Sequence, residues 1–451
     1  MLRVRQRLLL FLSLAVLLSF VLFPAHQFYS LAGDVPDIPG TPAVELEPQV
    51  LVDWIQLLYD RVEAEAVSAP GAARLYAYAG IAGYESVRPG IADAFSMSGQ
   101  LNAMPEMPYP DPELEYDWIA SANGAMSTVI AGLFPDSPDT LKAVSMLRER
   151  QIKSRQSKVE ADVLERSTAF GDSIGAAIME WVAMDNFAET RNMPYEIPTG
   201  DPSLWIPTAP GMKPVEPYWG QIRPFALYYA DGCAVPMKLA FSTDPNSTFY
   251  KQALETKVVG DKLTPEQKDI ARYWVDTPGE TGTPAGHWML IAAQIADQLD
   301  LKLDMTSMMF GLVGTAVGDA FISAWSLKYQ INLIRPESYI QQYIDPRWRP
   351  LIESPGFPEY PSGHSVVSGA AAEVLTGMFG TEAFTDRSGR KHGLRERSFT
   401  SFHAAAYEAA ISRLYGGIHY REAIEGGLEQ GRCIGRNVLD YVTLRSKPQG
   451  E

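Results

Sequence analysis

The sequence predicts an all-α protein built from packed helical bundles. Apolar residues recur at helical spacing through most of the chain, while alternating strand patterns are sparse. The 451 residues are 46% hydrophobic and 20% charged, enough for a sizeable core and unlike a disordered chain.

In chain order, the first helical pattern covers 46–66, with Val50, Leu51, Trp54, Leu57, Leu58 and Val62 on one face. Residues 70–87 mix alanines with aromatics, as a closely packed helix does. Further patterns cover 116–133, 138–152, 158–184 and 264–274. The last opens on Thr264-Pro265-Glu266-Gln267: a capping Thr, Pro at the first position and Gln three residues on. Patterns at 286–301, 305–330, 363–379, 400–414 and 420–440 complete the set. The stretch Met305 to Trp325 is the most apolar of the later chain, but Asp319 and many small residues mark it as a buried core helix. Residues 186–238 form a Pro-, Gly- and aromatic-rich connection. A loop of that length is either functional or a linker. Trp205, Trp219, Phe225, Tyr228 and Tyr229 predict an ordered one, packed on the surface.

The formal net charge is -16, which argues against nucleic acid as a partner because phosphate backbones need clustered Lys and Arg. Arg3, Arg5 and Arg7 precede an apolar run from Leu8 to Phe23, the pattern of a leader for export. Residues 1–32 are therefore expected to be a signal peptide or an N-terminal membrane anchor. Residues 33–451 are expected to form a single helical domain with its motif-bearing core at about 286–440, acting in the periplasm or outside the cell. The two cysteines, Cys233 and Cys433, are expected to be separate buried thiols. The sequence leaves the oligomeric state open.

The chemistry concentrates in the last quarter. Lys328 is followed seven residues later by Arg335-Pro336. That spacing is about two helical turns, so both cations can face one side, and the proline should end a helix at Arg335. Pro361-Ser362-Gly363-His364 then leads into an Ala-rich helical stretch. A small-residue turn entering a helix presents backbone N–H groups to an anion. An ordinary N-cap accounts for Ser362 but not for His364. Finally, Ser412-Arg413 and His419 flank Tyr415-Gly416-Gly417, a break that lets Arg413 and His419 reach one pocket from different elements.

The order and spacing of these three motifs resemble the signature of the vanadium-dependent haloperoxidases and the type 2 phosphatidic acid phosphatase superfamily. Among these, the chain is most similar to bacterial vanadium haloperoxidases, iodoperoxidases included. The resemblance extends upstream through Ser68-Ala69-Pro70, Arg74 to Tyr78, Tyr218 to Phe225, and Ala271-Arg272-Tyr273-Trp274 to Gly286-His287-Trp288. It implies a helical-bundle fold and an enzyme with vanadate as cofactor. The vanadate oxygens would be held by Lys328, Arg335, Ser362, Gly363, His364 and Arg413, with His419 as the apical vanadium ligand. His364 would be the acid–base group. Hydrogen peroxide and a halide, iodide ahead of bromide, would react through peroxovanadate to give hypohalous acid, with a small organic acceptor as a further partner. Trp325, Phe357 and Ser365 fall where the family lines its halide site. His287 is expected near the pocket mouth or in a loop-to-helix structural role.

One departure stands out. The phosphatases place an Asp four residues after the last His, where this chain has Ala423 beside Glu422. A nucleophilic His needs an orienting carboxylate, so the change weakens a phosphatase reading. A soluble acid phosphatase with His419 as nucleophile, and a non-catalytic oxyanion-binding protein of the cell envelope, stand as alternatives.

Overall fold

A computed structural model describes residues 38–446. The expected leader falls outside the described residues. The described residues make one compact unit.

In chain order, the α-helices are α1 (Gln49–Ala64), α2 (Ala69–Val87), α3 (Trp118–Leu133), α4 (Pro138–Arg155), α5 (Ala161–Val182), α6 (Phe187–Thr190) and α7 (Thr248–Asp261). They continue as α8 (Pro265–Tyr273), α9 (Thr283–Gln298), α10 (Leu303–Ile331), α11 (Pro336–Tyr343), α12 (Gly363–Phe379), α13 (Phe402–Tyr415) and α14 (Arg421–Tyr441). Between α12 and α13 a short antiparallel pair, β1 (Phe384–Asp386) and β2 (Arg397–Phe399), is the one sheet among the described residues. Four helices follow their sequence signals closely at the start. Ser68 caps α2, Ser137 caps α4, Ser362 caps α12, and Thr264 with Gln267 forms the expected capping box on α8.

α10 is the axis of the molecule. It packs against α2 on one side and α12 on the other, and α12 in turn packs against α14. Small residues allow these close crossings. A Cβ at Gly80 of α2 would lie 2.2 Å from the Phe310 carbonyl of α10, and one at Gly431 of α14 would lie 2.1 Å from the Val366 carbonyl of α12. α10 is long and apolar enough to cross a membrane, yet 94% of its most apolar window is buried in the protein, as expected of a core helix.

The 186–238 connection is ordered as expected. Trp205, Trp219 and Phe225 are buried, while Tyr228 and Tyr229 are exposed. Asp319, deep in α10, fastens this connection by accepting the N–H groups of Phe225, Ala226 and Leu227 at 2.6, 2.8 and 2.9 Å. Burial raises the Asp319 carboxyl to about 6, opposed by these three donors. The cysteines correct the sequence reading: Cys233 and Cys433 form a disulfide that ties the connection to α14. No spacing rule could pair residues 200 apart in sequence.

Candidate active site

The three motifs converge beside the C-terminal end of α10. Lys328 lies in the last turn of that helix and is fully buried. Its Nζ donates to the carbonyls of Pro358 and Glu359, both at 3.0 Å, and to that of Pro361. All three N–H bonds are thus spent on the loop before α12, so Lys328 sends charge into the site from behind that loop. α10 itself ends at Ile331, with Asn332 in the left-handed region at φ 53°. Arg335 is therefore not two turns along the same helix: it is the N-cap residue of α11, and Pro336 opens that helix instead of ending one. Arg335 Nε donates to the Phe357 carbonyl and Nη1 to the Ile418 carbonyl, each at 2.9 Å, while Nη2 has no partner.

Ser362 caps α12 with its Oγ, accepting from the Ser365 amide and, at 2.9 Å, from the Ser365 hydroxyl. Its own proton is left to donate. Gly363 is backed by Trp325, whose ring a Cβ at this position would approach to 3.3 Å. His364 follows in the first turn, where unpaired N–H groups and the helix dipole favour an anion.

Arg413 lies in the last turn of α13, and the chain reverses through Gly417, at φ 80°, before His419. Arg413 Nε donates to Ser412 Oγ at 2.9 Å, and Nη2 donates to the carbonyls of Ala271 and Trp274. His419 is 2% exposed. Its Nδ1 donates to Glu359 Oε1 at 2.9 Å, and the same oxygen accepts the Tyr420 amide at 2.8 Å. Donation from Nδ1 leaves the Nε2 lone pair as an acceptor, and Arg335 Nη1 donates to it at 3.2 Å. Sequence reasoning missed Glu359. It looked after His419, yet Glu422 there accepts the Lys238 amide. The carboxylate comes instead from just ahead of the Pro-Ser-Gly-His turn.

Electrostatics show what the site lacks. Burial, then Arg335, holds the Lys328 ammonium well below its ordinary range. Burial also brings the Arg335 and Arg413 guanidiniums down to about 10. His419 is held neutral by burial and then Arg335, and His364 by burial and then Arg413. Burial lifts Glu359 to about 7, against the pull of Arg335. Three buried cations thus share few carboxylates, and one buried donor of the cradle, Arg335 Nη2, has no partner. A tetrahedral oxyanion would supply both the charge and an acceptor for that donor, so these residues fit vanadate.

Two of the three residues expected at a halide site come together. The Trp325 and Phe357 rings lie 4.8 Å apart, and Lys328 Nζ and Arg335 Cζ lie 5.0 and 4.8 Å from the Phe357 centroid. Trp325 is fixed by donating Nε1 to the Val215 carbonyl of the long connection. Ser365 does not join them. Its hydroxyl is on Ser362, and its Cβ faces Gly427 of α14. His287 is not at a pocket mouth: it is 4% exposed, in the first turn of α9.

The family model described as the VCPO second helical-bundle domain matches residues 308–447. The vanadium chloroperoxidase of Curvularia inaequalis is 24% identical over 222 residues, 36% of this chain and 36% of that enzyme, so the match spans about a third of the relative's length. A solved bacterial vanadium-dependent chloroperoxidase superposes with a TM-score of 0.63 at 15% identity over 83% of this chain and 93% of its own, a likeness of fold alone. The structure of a bacterial vanadium-dependent iodoperoxidase superposes with a TM-score of 0.83 at 39% identity, covering 89% of this chain and 98% of the other. With that near-complete match and a cradle that fits the oxyanion, this chain belongs to the vanadium-dependent haloperoxidases, and its cofactor is vanadate.

Proposed function

We propose that the protein oxidises iodide with hydrogen peroxide. Halide, peroxide and one proton are consumed; hypohalous acid and water leave. The observation that carries this reading is the convergence of buried Lys328, Arg335, Arg413 and His419 with half-buried His364 in one cradle that leaves Arg335 Nη2 unpartnered. Bound vanadate supplies a Lewis acid at which peroxide becomes electrophilic toward halide. His419 offers Nε2 as the ligand because Glu359 holds the proton on Nδ1. Arg335, Arg413, Ser362 and the α12 N-terminus would hold the oxygens, with Lys328 adding charge from behind. His364, held neutral in this buried setting, accepts a proton from incoming peroxide.

Iodide is favoured by the 39% identity to an iodoperoxidase and by the Trp325–Phe357 pair. Aromatic faces edged by cations suit a large, weakly hydrated anion. Residues 1–32 act in export or as an anchor, and a disulfide in the mature chain suits an oxidising compartment.

The test is reconstitution with vanadate followed by triiodide formation from iodide and peroxide, with bromide in parallel. Activity should require vanadate and fall by about a hundredfold or more in His364→Ala, within the usual range for loss of an acid–base group. No triiodide between mildly acid and neutral pH would refute the reading. One observation favours a second activity: the Glu359–His419 pair would also orient a nucleophilic imidazole. Hydrolysis of p-nitrophenyl phosphate by vanadate-free protein, blocked by added vanadate, would show it.

A further inference from the structure

The reaction as read above leaves a second buried histidine unused. His287 Nδ1 lies 3.1 Å from both carboxylate oxygens of Asp276, and its Nε2 lies 2.8 Å from Asp386 Oδ2. Ionised carboxylates only accept hydrogen bonds. Both ring nitrogens must therefore carry protons, and His287 is an imidazolium between two carboxylates. The Trp274 ring stacks on it at 4.4 Å and 19°. Asp386, at the end of β1, is fixed by the Ser388 amide at 2.9 Å. Asp276 sits in the left-handed region at φ 48°, a conformation a non-glycine residue keeps only when its surroundings hold it. Its other face looks into the site: Asp276 Oδ2 lies 3.9 Å from His364 Nε2, the buried ring nitrogen that has no hydrogen-bond partner.

We propose that His287, clamped between Asp276 and Asp386, is a positioning residue for this reaction. It holds the Asp276 carboxylate against Nε2 of His364 and so fixes which ring nitrogen of that histidine carries the proton. The argument is one of geometry. A carboxylate facing Nε2 favours the tautomer with Nε2–H and leaves Nδ1 as the base. Without the His287 clamp, the strained Asp276 backbone is free to relax, and its carboxylate turns toward Arg413, the other cation it balances. The groups around His287 are Tyr273, Trp274 and Asp276 from the α8–α9 segment, Asp386 from β1 and His364 from α12, while Arg413 from α13 faces Asp276 and His364. The inference rests on the reading of His364 as the acid–base group, but its first test does not use turnover.

That test is ring-nitrogen NMR of the vanadate-free protein labelled at histidine, with signals assigned by substitution. His287 should show two protonated ring nitrogens from about pH 5 to about pH 8, beyond the ordinary histidine range. His364 should show the Nε2–H form. In H287Q, and in the milder D386N, the His364 signals should shift toward a mixture of tautomers. In the reconstituted enzyme both variants should lose about 10- to 100-fold in kcat, with KM for iodide and the Kd for vanadate within about threefold. A neutral His287 in the wild type would overturn the proposal. So would His364 signals unchanged in whichever variant folds. Failure of triiodide formation in the wild type with the NMR pattern intact would instead count against the haloperoxidase reading alone.

Discussion

A histidine that binds a metal must be neutral and aimed, and at His419 one carboxylate does both. Glu359 Oε1 takes the Nδ1 proton at 2.9 Å and is steadied by the Tyr420 amide, while its Oε2 has no partner. Replacing Glu359 by Gln keeps the size but gives Nδ1 either a weaker acceptor or an N–H donor that reverses the tautomer. Vanadate affinity should fall by about 10- to 100-fold, the usual cost of losing such a partner. Isothermal calorimetry on the vanadate-free protein checks it, and a Kd within about twofold of wild type would mean that Glu359 serves the fold only. The cradle was legible in sequence because Lys328–Arg335, Ser362-Gly363-His364 and Arg413–His419 are short-range patterns of residue types with few uses in common. Glu359 was hidden because a lone acid in a Pro-rich loop has no period or spacing to mark it. Asp276 and Asp386 were hidden because they reach the site from segments far from the motifs. The three carbonyls that hold Lys328 belong to backbone, which carries no residue signal.

Helices with a strong apolar stripe or a capping signal were predicted nearly to their ends, as α2 and α12 show. α7 and α11 were not foreseen. α7 is weakly amphipathic, and α11 has only eight residues, started by a proline that the sequence reading took as a stop. Both gain their stability from packing: Phe249, Tyr339 and Tyr420 meet in a second apolar cluster beside the cradle. The junctions between elements are set by buried charges. Asp319→Ala would strand three amides of the long connection, so a loss of about 2–4 kcal/mol is expected from urea titration, with Asp319→Asn milder because it keeps one acceptor. At the junction of α9 and β1, burial opposes charge on His287, but Asp276 and Asp386 prevail and raise it to about 10. The stabilisation is then complete below the unfolded value near 6.5 and is lost as pH rises toward 10. Asp386, lowered to about 2 by His287 against the cost of burial, stabilises above about 4 and loses that contribution as pH falls toward 2. The urea midpoint of vanadate-free protein should therefore drop between about pH 7 and pH 10, and H287Q should flatten that slope. Equal slopes in the two proteins would show that His287 is neutral.

At the scale of the whole molecule, the long connection is held at separated points that together fix one wall of the site. Asp319 grips its backbone, Val215 receives Trp325 and Tyr329, and the disulfide joins Cys233 to α14. α14 in turn packs along α12, the helix whose N-terminus faces the oxyanion. A crosslink between residues 200 apart restricts the unfolded chain strongly, and native bridges of this kind contribute about 2–5 kcal/mol. Cys233→Ser/Cys433→Ser should lower the urea-derived stability by that amount. The cradle itself should survive, because Lys328, Arg335, Glu359, Arg413 and His419 are each held by groups other than the bridge. The vanadate Kd of the double variant, measured well below its unfolding temperature, should stay within about threefold of wild type, a difference of under 1 kcal/mol. A tenfold or larger loss of affinity without loss of stability would reverse this assignment, because the bridge would then be shaping the site through α14 and not merely closing the chain around it.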